Sequence, residues 1–155
     1  MALGSLAERV HDPTNGKAVP PMRLTQLIYV SRPFGFHAGT LDDILVSARR
    51  HNERNGITGS LVCRADVFLQ ILEGPRAAVT ETFGRILRDD RHVDVAILHC
   101  GDTPERMFPS WTMRDDPPQS WMWPRDDVRD GAVEETTAAH AVAIFRRLSR
   151  LPRAA

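Results

Sequence analysis

Apolar residues fall along this chain in short blocks, and the densest, residues 67–72, is apolar at both parities. Val67, Leu69 and Ile71 share one parity and Phe68, Gln70 and Leu72 the other, the pattern of a strand covered on both faces. Upstream, residues 24–31 are predicted as a strand and 32–39 as a loop. Thr40, with Asp43 three residues on, makes a variant capping box that opens a helix with Leu41, Ile44, Leu45 and Ala48 as its buried stripe. Asn55-Gly56 closes that helix, the glycine supplying a left-handed cap. Residues 57–63 and 67–73 form a hairpin across Arg64-Ala65-Asp66. Pro75 suits the first turn of a second helix, with Val79, Phe83, Ile86 and Leu87 inward and its end near Asp89-Asp90. A fourth strand is predicted over 93–99 and a short fifth over 110–113.

The order βαββαββ predicts an α+β, ferredoxin-like sheet with both helices on one face and an added edge strand. Residues 1–21, which end in Pro20-Pro21, read as a flexible arm before a domain over 22–115. Residues 116–155 form a C-terminal extension, in which Trp121 and Trp123 are expected to cover the open sheet face. An amphipathic helix over about 131–150 carries Ala138, Ala141, Val142 and Phe145 at helical spacing.

Twenty basic residues balance twenty acidic ones, which argues against a nucleic-acid or anionic-membrane partner. No apolar run approaches the length of a membrane span. Cys63 and Cys100, in separate apolar segments without CxxC spacing, read as buried thiols of a reducing cytosol. His37, His51, His92 and His99 lack metal-ligand spacing, so no metal site is predicted. Gly35 and Gly39 do not make a phosphate loop. His51-Asn52-Glu53 has the H-x-E of zinc deaminases without the P-C-x-x-C.

Gln70 is the polar exception in the densest apolar block. A buried glutamine has four hydrogen-bonding positions to satisfy, at about 1–3 kcal/mol for each left unmade. By strand parity Tyr29, Gln70, Trp111 and Met113 are expected to face the helix layer. His51 and Asn52 join them from the end of the first helix, and Asp89, Arg91 and His92 from the end of the second. Such a cleft is rich in neutral donors and acceptors, and suits a planar heterocycle better than a metal or a phosphate.

Six motifs carry a family resemblance. They are Leu27-Ile28-Tyr29-Val30-Ser31, Arg50-His51-Asn52, Gly56-Ile57-Thr58-Gly59, Phe68-Leu69-Gln70-Ile71-Leu72-Glu73-Gly74-Pro75, Asp89-Asp90-Arg91-His92 and Phe108-Pro109-Ser110-Trp111-Thr112-Met113. In order and spacing the set resembles the BLUF domain, the blue-light sensors that bind FAD, over about residues 24–113. The resemblance implies a flavin ring held between the two helices, with FAD as cofactor and FMN as the alternative. It implies that Tyr29 gives an electron and a proton to the photoexcited flavin, and that Gln70 rearranges in response, producing a red-shifted state. Ser31, His51, Asn52, Asp89, Arg91 and His92 would bind the cofactor, and Trp111 and Met113 would relay the change. At His51 other members often carry a second asparagine.

Elementary chemistry agrees with those roles. A phenol of pKa about 10 is neutral in the dark and strongly acidic once oxidised. A glutamine side chain can exchange its donor and acceptor ends without moving charge, whereas asparagine is too short and glutamate is charged. The expected protein is a short cytoplasmic receptor, not an enzyme, that signals to a separate effector protein and forms a homo-oligomer. The chain has no stretch long enough for an attached cyclase. The rival readings are a flavin-dependent reductase, an acylphosphatase-like hydrolase or a flavin-free interaction module. A reductase wants a second substrate pocket, and the hydrolase wants an anion loop of which only Arg32 is present.

Overall fold

A computed structural model describes residues 10–11, 18–19, 23–33, 38–64 and 67–152. Within the N-terminal arm, β1 (Val10–His11) and β2 (Ala18–Val19) pair as a small antiparallel ladder; the rest of 1–21 lies outside the described residues. The main sheet is built from β3 (Leu24–Pro33), β4 (Thr58–Arg64), β5 (Val67–Pro75), β6 (His92–Thr103) and β7 (Arg114–Asp116). Its spatial order is β6-β3-β5-β4-β7, antiparallel except for β7, which runs parallel to β4. The helices α1 (Ala38–Asn55) and α2 (Arg76–Arg88) are the crossovers, so the fold is α+β and ferredoxin-like with β7 as the added edge.

The double apolar parity of β5 has its cause in two layers. Phe68 and Leu72 pack with Leu27, Tyr29 and Leu61, and with Ile44, Leu45 and Val79 from α1 and α2. Leu69 and Ile71 face the other way, with Ile28, Val30 and Val62. That second face is covered by Met122, by Val128 of the short α3 (Arg125–Arg129) and by Ala141, Ile144, Phe145 and Leu148 of α4 (Ala138–Ser149). Trp121 and Trp123 pack at its margin, as expected of them.

Several elements depart from the sequence expectation. The first helix begins at Ala38, so Thr40 is buried within its first turn and does not precede it; Gly56 ends it at φ 67°, as expected. Pro75 closes β5 at φ −56° and ψ 140° and caps α2 from outside the first turn. Leu87 is 54 % exposed, because one residue past Ile86 the helix has turned about 100° from the sheet. The fourth strand runs from His92 to Thr103, extended by pairing along the whole of β3. It is an edge strand, which leaves Cys100 exposed; Cys63, on β4 one residue past its pairing with the three-residue β7, is half-buried. Residues 110–113 form no strand: Trp111 N–H bonds back to Phe108 O at 3.3 Å, a turn after Pro109, and the ladder starts only at Arg114. The short α3 was not expected, and α4 starts at Ala138, where the Thr137 side chain accepts from His140 N at 3.1 Å. Ala138 is therefore exposed in the first turn, while Ala141 and Phe145 are buried as predicted.

Candidate functional site

Between α1 and α2, above the sheet, lies a cleft holding about 550 Å3 with its mouth. Its floor is a cross-strand pair: Tyr29 on β3 stands directly opposite Gln70 on β5. Both side chains point to the helix face, since Leu27, Phe68 and Leu72 at the same parities lie in the core beneath the helices. Tyr29 is fully buried, and its hydroxyl donates to Gln70 Oε1. Burial raises the phenol above its ordinary pKa, and the charge of Asp89 adds to the rise, so the hydroxyl keeps its proton at any physiological pH. The Phe83 ring packs on it at 5.6 Å between centroids.

Gln70 Nε2 donates to Met113 Sδ at 3.2 Å. A thioether is a weak acceptor, so this amide end is held lightly. Met113 reaches the site because residues 107–113 are tethered from three directions. Glu73 Oε1 accepts from Met107 N and Phe108 N at 2.8 and 3.0 Å. Gly59 N donates to Trp111 O at 3.0 Å, and Arg49 Nε to Met113 O at 3.1 Å. Asn52, buried on α1, donates from Nδ2 to Thr112 O at 2.7 Å, which turns its carbonyl end to other partners. Trp111, expected at the helix layer, is 37 % exposed and does not line the cleft; the irregular segment before β7 breaks the parity it would share with Met113.

The charged wall comes from the end of α2. Asp89 accepts from Arg91 N at 2.9 Å, from Nε at 3.0 Å and from Nη2 at 2.6 Å. Those bonds hold the Asp89 carboxyl below the usual carboxylate range and hold the Arg91 guanidinium above its own. Burial pulls the His92 imidazole below its ordinary pKa. Its Nδ1 lies 2.8 Å from Ser31 Oγ, so Ser31 touches the site through His92 and does not itself line the cleft. His51 Nδ1 accepts from the Arg85 guanidinium, a group with donors only, which leaves the ring proton on Nε2, 2.8 Å from Thr82 Oγ1.

Eight of the ten predicted residues thus gather here: seven line the cleft, Met113 closes it from below, Ser31 stands behind it and Trp111 lies outside. Ser47, Thr82 and Arg85 line it unforeseen. The signal for Thr82 was present in α2, where it continues the inward spacing from Val79 with a polar side chain. Among the described residues no group of three His, Cys, Asp or Glu is placed to hold a metal ion.

The family model for BLUF, sensors of blue-light using FAD, matches residues 24–114. A subunit beta of photoactivated adenylate cyclase from Euglena gracilis is 40 % identical over 94 residues, 58 % of this chain and 11 % of that one. The chain therefore spans about a tenth of the length of this relative. Among solved structures, BlrB, a BLUF protein in its dark state, superposes with a TM-score of 0.69 at 29 % identity, over 83 % of this chain and 96 % of that one. Klebsiella pneumoniae BlrP1 with FMN and cyclic diGMP gives 0.59 at 32 % identity, over 81 % of this chain and 33 % of that one.

Proposed function

The chain belongs to the BLUF family of sensors of blue light using FAD, and we propose that it holds the flavin in the cleft between α1 and α2 and switches through Tyr29 and Gln70. The observation that carries this reading is the buried hydroxyl of Tyr29 on Gln70 Oε1 at the cleft floor. The donor set fits a flavin: Gln70 uses one end on a phenol and the other on a thioether, which leaves hydrogen-bonding capacity toward the cleft. Asn52, His51, Asp89, Arg91 and His92 stand around the same space, with Ile44, Leu72 and Ile86 as apolar walls for a planar ring. Ser31 acts by orienting His92.

Bound FAD supplies absorption of blue light and an excited state able to take an electron. The chain supplies the rest. Tyr29 is the reductant within the cleft, and oxidation makes its phenol strongly acidic. Its proton has an acceptor already in contact, Gln70 Oε1. Gln70 would then exchange its amide ends, which the weak bond to Met113 Sδ leaves easy, and the electron and proton would return to Tyr29, so that the switched state differs in hydrogen bonding and not in charge. Met113 is followed directly by β7, which carries the change toward the C-terminal extension. Trp111, at the surface two residues upstream, belongs to the same outgoing segment.

The BLUF module is a photosensor and not itself a catalyst. For the whole chain we propose a cytoplasmic receptor without enzymatic activity that acts on a separate effector protein, as a homo-oligomer and with neither nucleic acid nor membrane as partner. The balanced charge supports the absence of a nucleic-acid partner, and no described helix is long and apolar enough to cross a membrane. The test is the visible spectrum of flavin-loaded protein before and after blue light. A reversible red shift that disappears in Gln70→Leu is expected. A flavin that only bleaches would show redox enzymology in its place.

A further inference from the structure

Glu73 is fully buried, and the steps at Tyr29 and Gln70 make no use of it. On β5 it stands between Gln26 of β3 and Thr58 of β4, its partners in the two ladders. All three turn to the face that carries α4, since Ile28, Val62 and Ile71 at the same parities lie in that core. The carboxyl oxygens of Glu73 meet N–H groups: Gln26 Nε2 at 3.0 Å, Met107 N at 2.8 and 3.0 Å, and Phe108 N at 3.0 Å. A carboxylate without its proton accepts in this way. Glu73 forms no ion pair among the described residues. The Arg106 guanidinium binds Glu73 O, Thr58 Oγ1 and Gly56 O, at 2.9, 2.9 and 2.8 Å. A buried anion without a cation is costly, and packing alone gives no reason for one.

The reason lies in the chain that it holds. The connection from β6 to β7, residues 104–113, runs from one edge of the sheet to the other. It also changes face. Phe108 packs with Phe145 on the α4 side, at 6.3 Å between ring centroids, whereas Met113 lies in the core beneath α1 and α2. Glu73 grips the backbone where residues 107 and 108 pass the central strand. The stretch from there to Met113 is short and turned, with Trp111 N on Phe108 O at 3.3 Å, so a shift at its start reaches its end. We propose that Glu73 is a positioning residue for the switch: its hold on Met107 and Phe108 sets Met113 Sδ against Gln70 Nε2. The proposal rests on Tyr29 and Gln70 being that switch. Without the Glu73 acceptors the segment slackens and the thioether moves off. The resting orientation of Gln70 then loses the 3.2 Å bond to Met113, which the exchanged orientation does not have. Return from the switched state remakes that bond, so its loss slows the return.

The experiment follows the decay of the red-shifted absorption in darkness, in the flavin-loaded unaltered chain, Glu73→Leu, Met113→Leu and the double variant. Glu73→Leu is expected to form the state and to return several-fold more slowly, the effect of one weak hydrogen bond on a rate. Met113→Leu should slow the return to the same extent, and the double variant no further than either alone. A role in stability alone would leave the return rate unmoved. Slowing in the double variant that equals the product of the two single effects would overturn the proposal. Glu73→Gln keeps an oxygen for the two amides but gives up the charge, and should slow the return less than Glu73→Leu does. Should Glu73→Leu not fold, Glu73→Gln decides, and a return there at the unaltered rate would overturn the proposal. The unaltered rate in folded Glu73→Leu would overturn it as well and leave the switch standing. Absence of any red-shifted state in the unaltered chain would remove the switch reading, and this proposal with it.

Discussion

Tyr29 and Gln70 meet because β3 and β5 pair in a register that sets residue 29 against residue 70 on a face with no solvent. Parity made this pair legible in the sequence: a single glutamine in an apolar block declares which way it points once its neighbours are known to be core. Parity failed for Trp111, because residues 108–113 turn instead of pleating. Neither could it register Arg85, whose role depends on where two helices converge. At this scale His92 gives a prediction of its own. Burial lowers its pKa, so below about pH 6.5 the unfolded chain takes up a proton that the folded one resists. Its contribution to stability is thus fully present above that pH and is lost as the pH falls toward the folded-state pKa. Urea unfolding midpoints of the unaltered chain should drop between pH 7.5 and 5.5, and His92→Gln should flatten that drop. Parallel profiles for the two proteins would show that His92 does not carry it.

Among the elements, β7 has the greatest reach for its length. Its three residues follow Met113, which touches Gln70, and its first side chain turns to the opposite face of the sheet. There Arg114 Nε donates to Asp116 Oδ2 at 2.8 Å and Nη2 to Leu148 O at 2.6 Å, in the last turn of α4. Asp116 also accepts from Ser60 Oγ of β4. The side chains of Arg114 and Asp116 are 6 % and 9 % exposed, so the pair is buried. Removing one partner of such a pair strands the other, at about 3 kcal/mol. Arg114→Met is therefore expected to lower unfolding stability by about that amount. It should also speed amide exchange across Ala138–Ser149 more than across Leu24–Pro33. Uniform acceleration in both elements would mean that Arg114 does not tie α4 in particular. This tie was not legible in the sequence, because a fifth strand expected at 110–113 hides that Arg114 is the first ladder residue and that its side chain faces the extension.

The whole molecule is a sheet with a helical layer on one side and the C-terminal extension on the other, and the cleft opens in the first layer while the route out ends in the second. The order of elements and the two helices on one face could be read from hydrophobic spacing, since each crossover returns the chain to a two-sided strand. The extension was harder to read: its α3 is five residues long, and α4 is shorter than its amphipathic pattern because Gly131, at φ 91°, and the turns after it interrupt the helix. The claim that unites both layers is that a hydroxyl on Gln70 starts the change. Tyr29→Phe tests it most directly, since it keeps the ring in its fully buried place and deletes only that hydroxyl. The light-minus-dark absorption spectrum of the flavin-loaded variant is expected to show no red-shifted state, while the dark spectrum keeps its flavin bands. A red shift of full size in Tyr29→Phe would contradict the account.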